Sequence, residues 1–470
     1  MHRSVRAIAL GSVLALTATA CLGSDPAEEA DPVRNADATE VSLTIAANAV
    51  SGGKNAEEAD WIENYVIPTF IEQQAEDGVT VTIEFQSSGV DDEEYKSRIA
   101  LDLRTGSGAD IVSVDGIWVG EFAEAGYIQP LTDVVGGDLV DGWEGWEQIN
   151  DAVQANMSFN DERYGIPAGS DGRVLFFNKE LFAQAGLPED WQPTSWEEVL
   201  EAGRALQSIE GVTPIQLNAG TAMGEATVMQ GALPLLVGTG AEIYGEDELW
   251  QGNTQNIRDV LALYEEIYST GLGDPTLQQE AQGRDKSFAE FAAGQIGILM
   301  EGDYFWRSVI EPTAGVAPMP NRDEAVGYAM VPAMEPGSGI NEQDFVSMSG
   351  GGGRVLNPAT EFPQQAWELL AFMNSAEATK ELVGDGARLT QREDVNSEIL
   401  SSDPLLSFIA EEVVPLSAYR PGLAVYPEIS LALQQATLDV VTGTTPEDAA
   451  AAYQTAIEQV LGGADDIASD

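Results

Sequence analysis

From Val41 to Tyr127 the chain switches between two hydrophobic periods. Val41–Ala47 (VSLTIAA) and Val79–Phe85 (VTVTIEF) place apolar residues at alternate positions, the period of a half-buried strand. Between them Trp61, Tyr65, Val66 and Phe70 fall on a helical spacing across Asp60–Gln74, interrupted by Pro68. Glu93–Arg104 is helical through Tyr95, Ile99 and Leu103. Ile111–Val114 is a short β-branched run closed by the turn dipeptide Asp115-Gly116, and Phe122, Ala123, Ala125 and Tyr127 suit a helix that stops near Gly126. Strand–helix–strand–helix–strand order implies right-handed crossovers and a parallel sheet. All three strands then end on one edge. The loops Asn48–Asn55, Gln86–Gly89 and Asp115–Trp118 are expected to converge there, with the Asp115 carboxylate and the Trp118 indole at a strand end, where such sheets bind ligands.

The pattern continues in the same class. Tyr164–Pro167 is a short strand, Ala168–Arg173 (AGSDGR) a polar break, and Val174–Phe177 a new apolar strand. Ser195 and Glu198 form a capping box at the head of an amphipathic helix over Thr194–Leu206. Glu225–Val237 is largely apolar, with Pro234 near its end. Asn256–Tyr268 carries Ile257, Val260, Leu261, Tyr264 and Ile267 on one face. After a short helix at Phe288–Ala293, Ile296–Met300 (IGILM) reads as a buried strand. It runs into Glu301, Asp303, Tyr304 and Trp306, a second strand end with clustered carboxylates and aromatics. Gly327–Pro332 and Phe345–Met348 read as strands, Gly350–Gly353 as a glycine run, and Gln364–Met373, Ala376–Val383, Pro427–Thr442 and Pro446–Leu461 as helices. The glycine run lacks the Lys-Ser/Thr of a phosphate loop, and no cofactor motif follows any strand.

The charge balance narrows the range of partners. Lys+Arg 21 against Asp+Glu 78 leaves a net charge of −57. Nucleic-acid phosphates are excluded as partners, and anionic solutes require a local basic pocket. A surface this acidic points to a saline or alkaline exterior, where salt limits self-repulsion. The single His is His2 and the single Cys is Cys21. A Ser-His-Asp hydrolase and a His-ligated zinc enzyme are therefore excluded for a chain processed past residue 20.

Met1–Ala20 has the basic start (His2, Arg3, Arg6) and apolar middle of a secretory signal. Ala18-Thr19-Ala20-Cys21 resembles a bacterial lipobox, with Ala18 where Leu is usual, which implies lipidation of Cys21. Leu22–Glu40, rich in Asp, Glu and Ala, reads as a disordered tether.

Five stretches, in order over Val41–Leu461, resemble the extracellular solute-binding proteins of ABC importers, in the family that includes maltose-binding proteins. They are ADIVSVDGIWVGEFAEAGYIQPL, RYGIPAGSDGRVLFFNKELFAQAGL with its following Thr194-Ser195-Trp196, FAAGQIGILMEGDYFW, GYAMVPAM with the later glycine run and QQAWELLAFM, and the Pro427–Thr442 helix with Pro446-Glu447-Asp448-Ala449. The resemblance implies an α/β, two-lobe fold of the type II periplasmic-binding kind, with a cleft between lobes and several hinge crossings. Lobe one would be 41–169 plus 328–380, and lobe two 170–327 plus 381–470. The first crossing would be Ala168–Arg173 and a return crossing would lie near Gly327. The ligand positions implied are Asp115, Trp118, Asp171, Tyr304, Trp306, Gly351, Arg420 and Tyr426, with Glu225 a loose match. Arg173, Glu301 and Asp303 join them as neighbours, Arg173 either touching ligand or pairing with Asp171.

Carboxylates accept sugar hydroxyls in charge-assisted bonds, and aromatic faces cover pyranose rings. The expected function is a lipid-anchored receptor that binds a neutral sugar or oligosaccharide and delivers it to the membrane subunits of a permease, as a monomer without cofactor or metal. The alternatives are the same fold holding a cationic osmolyte, a polyol or a glycerol phosphate, and a secreted glycoside hydrolase built on paired carboxylates.

Overall fold

The computed structural model describes residues 30–469 except Lys54, Asp91, Glu246 and Asp385. The signal segment and Cys21 lie outside the described residues.

Two mixed sheets carry the architecture. The first runs Thr80–Ser87, Glu40–Ala47, Ile111–Asp115, Gly352–Leu356, Gly165–Pro167. Its first three strands are parallel, with Val41 opposite Val81 and Ile45 opposite Ile111, so their carboxyl ends share an edge. The second runs Ser417–Ala418, Phe345–Met348, Val326–Pro332, Arg173–Asn178, Ile296–Gly302, Thr213–Gln216. Every residue of Arg173–Asn178 and of Ile296–Gly302 is buried, as expected of central strands covered on both faces.

The chain passes between the sheets three times. Residues 168–172 lead from Gly165–Pro167 into Arg173–Asn178, and residues 349–351 lead back from Phe345–Met348 into Gly352–Leu356. The helices Pro363–Met373 and Ala376–Val383 then pack on lobe one, against Leu131–Val135 and Ala56–Trp61. Residues 386–392 lead the chain back to lobe two, whose Tyr426–Val441 and Pro446–Leu461 helices pack on Gln255–Ser269.

The return crossing is therefore at 349–351 and not near Gly327. Val326–Pro332 stays in lobe two, antiparallel to Arg173–Asn178 with Gly327 opposite Phe177. The reason is local: a Cβ on Gly327 would stand 2.1 Å from the Phe177 ring, so the glycine gives that ring its place. The expected tether Leu22–Glu40 is described only from residue 30 onward, and that part is not free. Asn35 donates to the Glu361 carbonyl (2.9 Å), and Gln365 donates to the Asn35 and Ala36 carbonyls (3.1 Å each), which fixes this stretch on lobe one.

Three prolines share one local arrangement. Pro68, Pro234 and Pro415 each follow by two residues a π-helical turn, at Ile62–Val66, Val228–Ala232 and Ile409–Val413. Proline offers no N–H to the carbonyl four residues back and crowds it, and the wider turn accommodates both. The Pro68 interruption read from sequence thus widens a helical run from Ala56 to Glu76 without ending it.

Phe305 is fully buried and meets Phe176, Phe288 and Phe291 at centroid distances of 5.0–5.3 Å. Phe305→Ala should cost about 3–5 kcal/mol, read as a lower denaturant midpoint. An unchanged midpoint would mean that this ring is not part of lobe two's core.

A polar cleft between the lobes

The carboxyl edge of the first sheet and all three crossings enclose a crevice of about 420 Å³. Lobe one supplies most of its wall. Asn48 follows the first strand and is fixed by Val90 and Asp92: its amide donates to the Val90 carbonyl (3.1 Å) and to Asp92 Oδ1 (3.0 Å), and its oxygen accepts from Val90 N (3.2 Å). Asp115 ends the third strand and caps the next turn, accepting from Ile117 N at 3.1 Å. Burial raises its carboxyl above the ordinary value, against the pull of Arg420. Trp118 lines the same wall but is only 6% exposed, held against Tyr95 and Phe122.

The crossings make the floor. Asp171 Oδ1 accepts from Arg173 Nη1 (2.5 Å), Gly350 N (2.7 Å) and Ser349 Oγ (3.1 Å). Burial alone would raise this carboxyl, but the Arg173 charge and these donors hold it below its ordinary value. Gly351 sits at φ 117°, a conformation that favours glycine, and its carbonyl accepts from Gly116 N (3.1 Å) and Asn156 Nδ2 (3.0 Å).

Lobe two adds Asp303 and Arg307, four residues apart on one helical turn. Asp303 is 2% exposed; its Oδ2 takes Arg307 Nε at 2.8 Å, and its Oδ1 has no partner. Burial raises this carboxyl, and the facing Asp171 charge adds to that, against Arg307 and Arg173.

Of the residues expected at the site, Asp115, Trp118, Asp171, Asp303 and Gly351 line the crevice. The others do not, each for a visible reason. Arg173 is spent on Asp171 and the Met348 carbonyl (3.0 Å). Glu301 is fully buried in a bidentate pair with Arg284 (2.7 and 2.8 Å). Trp306 is a core residue whose indole N–H donates to Asp403 (3.0 Å), with Arg322 over its ring at 3.7 Å. Tyr304 is 42% exposed beyond the lining residues, its ring 5.6 Å from the Arg307 guanidinium. Glu225, Arg420 and Tyr426 bind one another: Glu225 Oε2 accepts from Arg420 (3.3 Å) and from the Tyr426 hydroxyl (3.1 Å). The Gln86–Gly89 loop meets the first (Ser88 N to the Ala47 carbonyl, 3.1 Å) without lining the crevice.

Asn55 lines the crevice at the end of the Asn48–Asn55 loop expected there, whereas Glu58, Asp92, Tyr95, Arg307 and Arg388 line it without a site signal in the sequence. Arg307 was findable, being four helical residues after Asp303. Glu58 was not, since its partner Arg354 (2.7 Å) is 296 residues away.

Two lobes around a polar crevice, joined by three adjacent crossings, define a hinged solute-binding protein of the type II periplasmic-binding fold. The chain belongs to the bacterial extracellular solute-binding protein family, whose model matches residues 55–380. A putative binding protein of Brucella abortus is 21% identical over 421 residues, covering 88% of this chain and 91% of that one. Among solved structures, the sugar-binding protein MalE of Xanthomonas citri aligns at TM-score 0.71 with 16% identity, over 90% of this chain and 97% of its own. A cyclic α-maltosyl-1,6-maltose binding protein of Arthrobacter globiformis aligns at 0.67 with 20% identity, over 90% and 99%. An ABC transporter solute-binding protein of Thermotoga lettingae, bound with α-D-tagatose, aligns at 0.62 with 23% identity, over 90% and 100%. At these identities the likeness is one of fold.

The facing carboxylates should respond oppositely to pH. The Asp171 carboxyl is held low when folded, so it stabilises the fold above its ordinary value of 3.8 and loses that contribution as pH falls through its folded value. The Asp303 carboxyl is held high, so its ionised form costs stability at neutral pH and protonation relieves that cost as pH falls. Asp171→Asn should lower the melting temperature at pH 7 and Asp303→Asn should raise it, both differences shrinking toward pH 3. Shifts of the same sign at pH 7 would contradict this assignment.

Proposed function

We propose that this protein is the extracytoplasmic receptor of an ABC importer, anchored through a lipid on Cys21. It takes a sugar or oligosaccharide into the interlobe cleft by its hydroxyl groups and delivers it to the permease as a monomer. The observation that carries this reading is how the cleft's carboxylates are compensated. Glu58 pairs with Arg354, Asp171 with Arg173, and Asp303 with Arg307, at 2.5–2.8 Å. Each acid keeps acceptor capacity while its charge is balanced, and Asp303 Oδ1 still lacks a donor. Balanced acceptors suit hydroxyls, which bring donors without net charge.

A cationic osmolyte is the second reading, favoured by the number of acids in the wall. The arginine behind each of these three acids counts against it, because at those acids a cation would meet little uncompensated charge. A polyol shares the hydroxyl chemistry and is covered by the same reading. Binding rather than catalysis is the inferred role: these carboxylates are held in ion pairs and none is set as an acid facing a nucleophile across a bound bond.

A thermal-shift screen at high salt tests this. A sugar at one hundred times its dissociation constant adds about 2.7 kcal/mol to stability and should raise the melting temperature, and Asp115→Ala should abolish the rise while the protein stays folded. No rise with sugars or polyols, with a rise for a quaternary ammonium solute, would overturn the reading. Cys21→Ser should release the protein from the membrane fraction into the medium; continued membrane association would overturn the anchor.

A further inference from the structure

The cleft is not electrically uniform. At one end, where lobe one, the last crossing and lobe two meet, its wall carries two guanidinium groups, those of Arg307 and Arg388, with the buried Arg354 near them. Arg307 and Arg388 line the crevice itself. Two acids answer them there at short range. Glu58 takes Arg354 at 2.7 Å, and Asp303 takes Arg307 at 2.8 Å. Arg388 pairs with Glu57 at 3.9 Å, a long contact to a carboxylate that is itself 84% exposed. A pair that exposed and that long contributes little. Burial and the facing Arg307 and Arg354 hold the Arg388 guanidinium below its ordinary value, against the pull of Glu57 and Glu58. In a chain with Lys+Arg 21 against Asp+Glu 78, a convergence of cations is not what composition would scatter there.

Resting on the sugar-receptor reading above, we propose that the solute is an acidic sugar, a hexuronate or an oligosaccharide ending in one, whose carboxylate is gripped between Arg388 of the crossing segment and Arg307 of lobe two. The cationic contact comes from Arg388, answered by Glu57 only at 3.9 Å, and from the edge of the Arg307 guanidinium that Asp303 does not take. Asp171 and Asp303 remain for the hydroxyls. Arg307 and Arg388 repel one another across this end of the crevice. A carboxylate between them reverses the sign, since planar guanidinium groups bind it in fork geometry. A phosphate ester would place a second negative charge beside Asp303 and Glu58, so a monoanion fits better.

Calorimetry on the mature chain, with D-glucuronate and D-galacturonate against D-glucose and D-galactose, tests this. The uronate should bind at least tenfold more tightly than its neutral counterpart. Arg388→Gln should erase the preference while leaving the melting temperature of the free protein near the original, and Arg388→Lys, which keeps the charge, should retain part of it. Neutral hexoses binding as well as the uronates would overturn this inference and leave the sugar-receptor reading standing. So would a preference unchanged in Arg388→Gln, or tighter binding of glucose 6-phosphate. Binding of neither sugar class would overturn both.

Discussion

One carboxylate oxygen ties the molecule together. Asp171 Oδ1 receives a guanidinium N–H, a backbone N–H and a hydroxyl from three residues, two of which, Ser349 and Gly350, belong to the opposite crossing. Bonds to a charged group are worth about 1.5–3 kcal/mol each. The two crossings are thereby clamped side by side where the chain leaves one lobe for the other. Gly351 and Gly352 extend the contact: a Cβ on Gly352 would stand 2.4 Å from the Val114 carbonyl, so only glycine lets this strand run so close to Asp115. The hinge and the floor of the cleft are therefore the same atoms. A solute that touches Asp171 touches the pivot.

The rest of the site follows from that clamp. The parallel strands of lobe one deliver Asn48 and Asp115 to one edge, and the antiparallel pairing of Ile296–Gly302 with Arg173–Asn178 brings Asp303 beside Gly172, whose carbonyl accepts from Asp303 N at 3.1 Å. Asp171 from the first crossing and Asp303 from lobe two thus face one crevice, each with its arginine. That pairing reconciles a cleft rich in carboxylates with a solute that need not be a cation. It also separates the cleft from the outer surface. The many exposed acids give the molecule its net charge of −57, and salt screens them beyond about 8–10 Å. The paired groups inside the crevice are screened far less.

Much of this was readable from the chain, and the failures have physical causes. Strict alternation marked Val41–Ala47 and Val79–Phe85, and the polar break at Ala168–Arg173 marked the first crossing, because local pattern determines local structure there. Gly327–Pro332 was legible as a strand but not as a member of lobe two. A strand's period does not say which sheet it joins, and that was decided by the Phe177 ring lying against Gly327. Trp306, Glu301 and Tyr426 looked like ligand groups by type and position. Burial turned them inward to Asp403, Arg284 and Glu225. Arg388 and Glu58 left no trace in the sequence, since each acquires its meaning from partners brought in by the fold.

Pivot and binding floor are made of the same residues, so that a solute held there bears on closure. Small-angle X-ray scattering of the mature chain, with and without saturating sugar, tests this most directly. The radius of gyration should fall on binding in the native chain, with a smaller or absent fall in Asp171→Asn. Calorimetric binding with an unchanged radius in the native chain would contradict it.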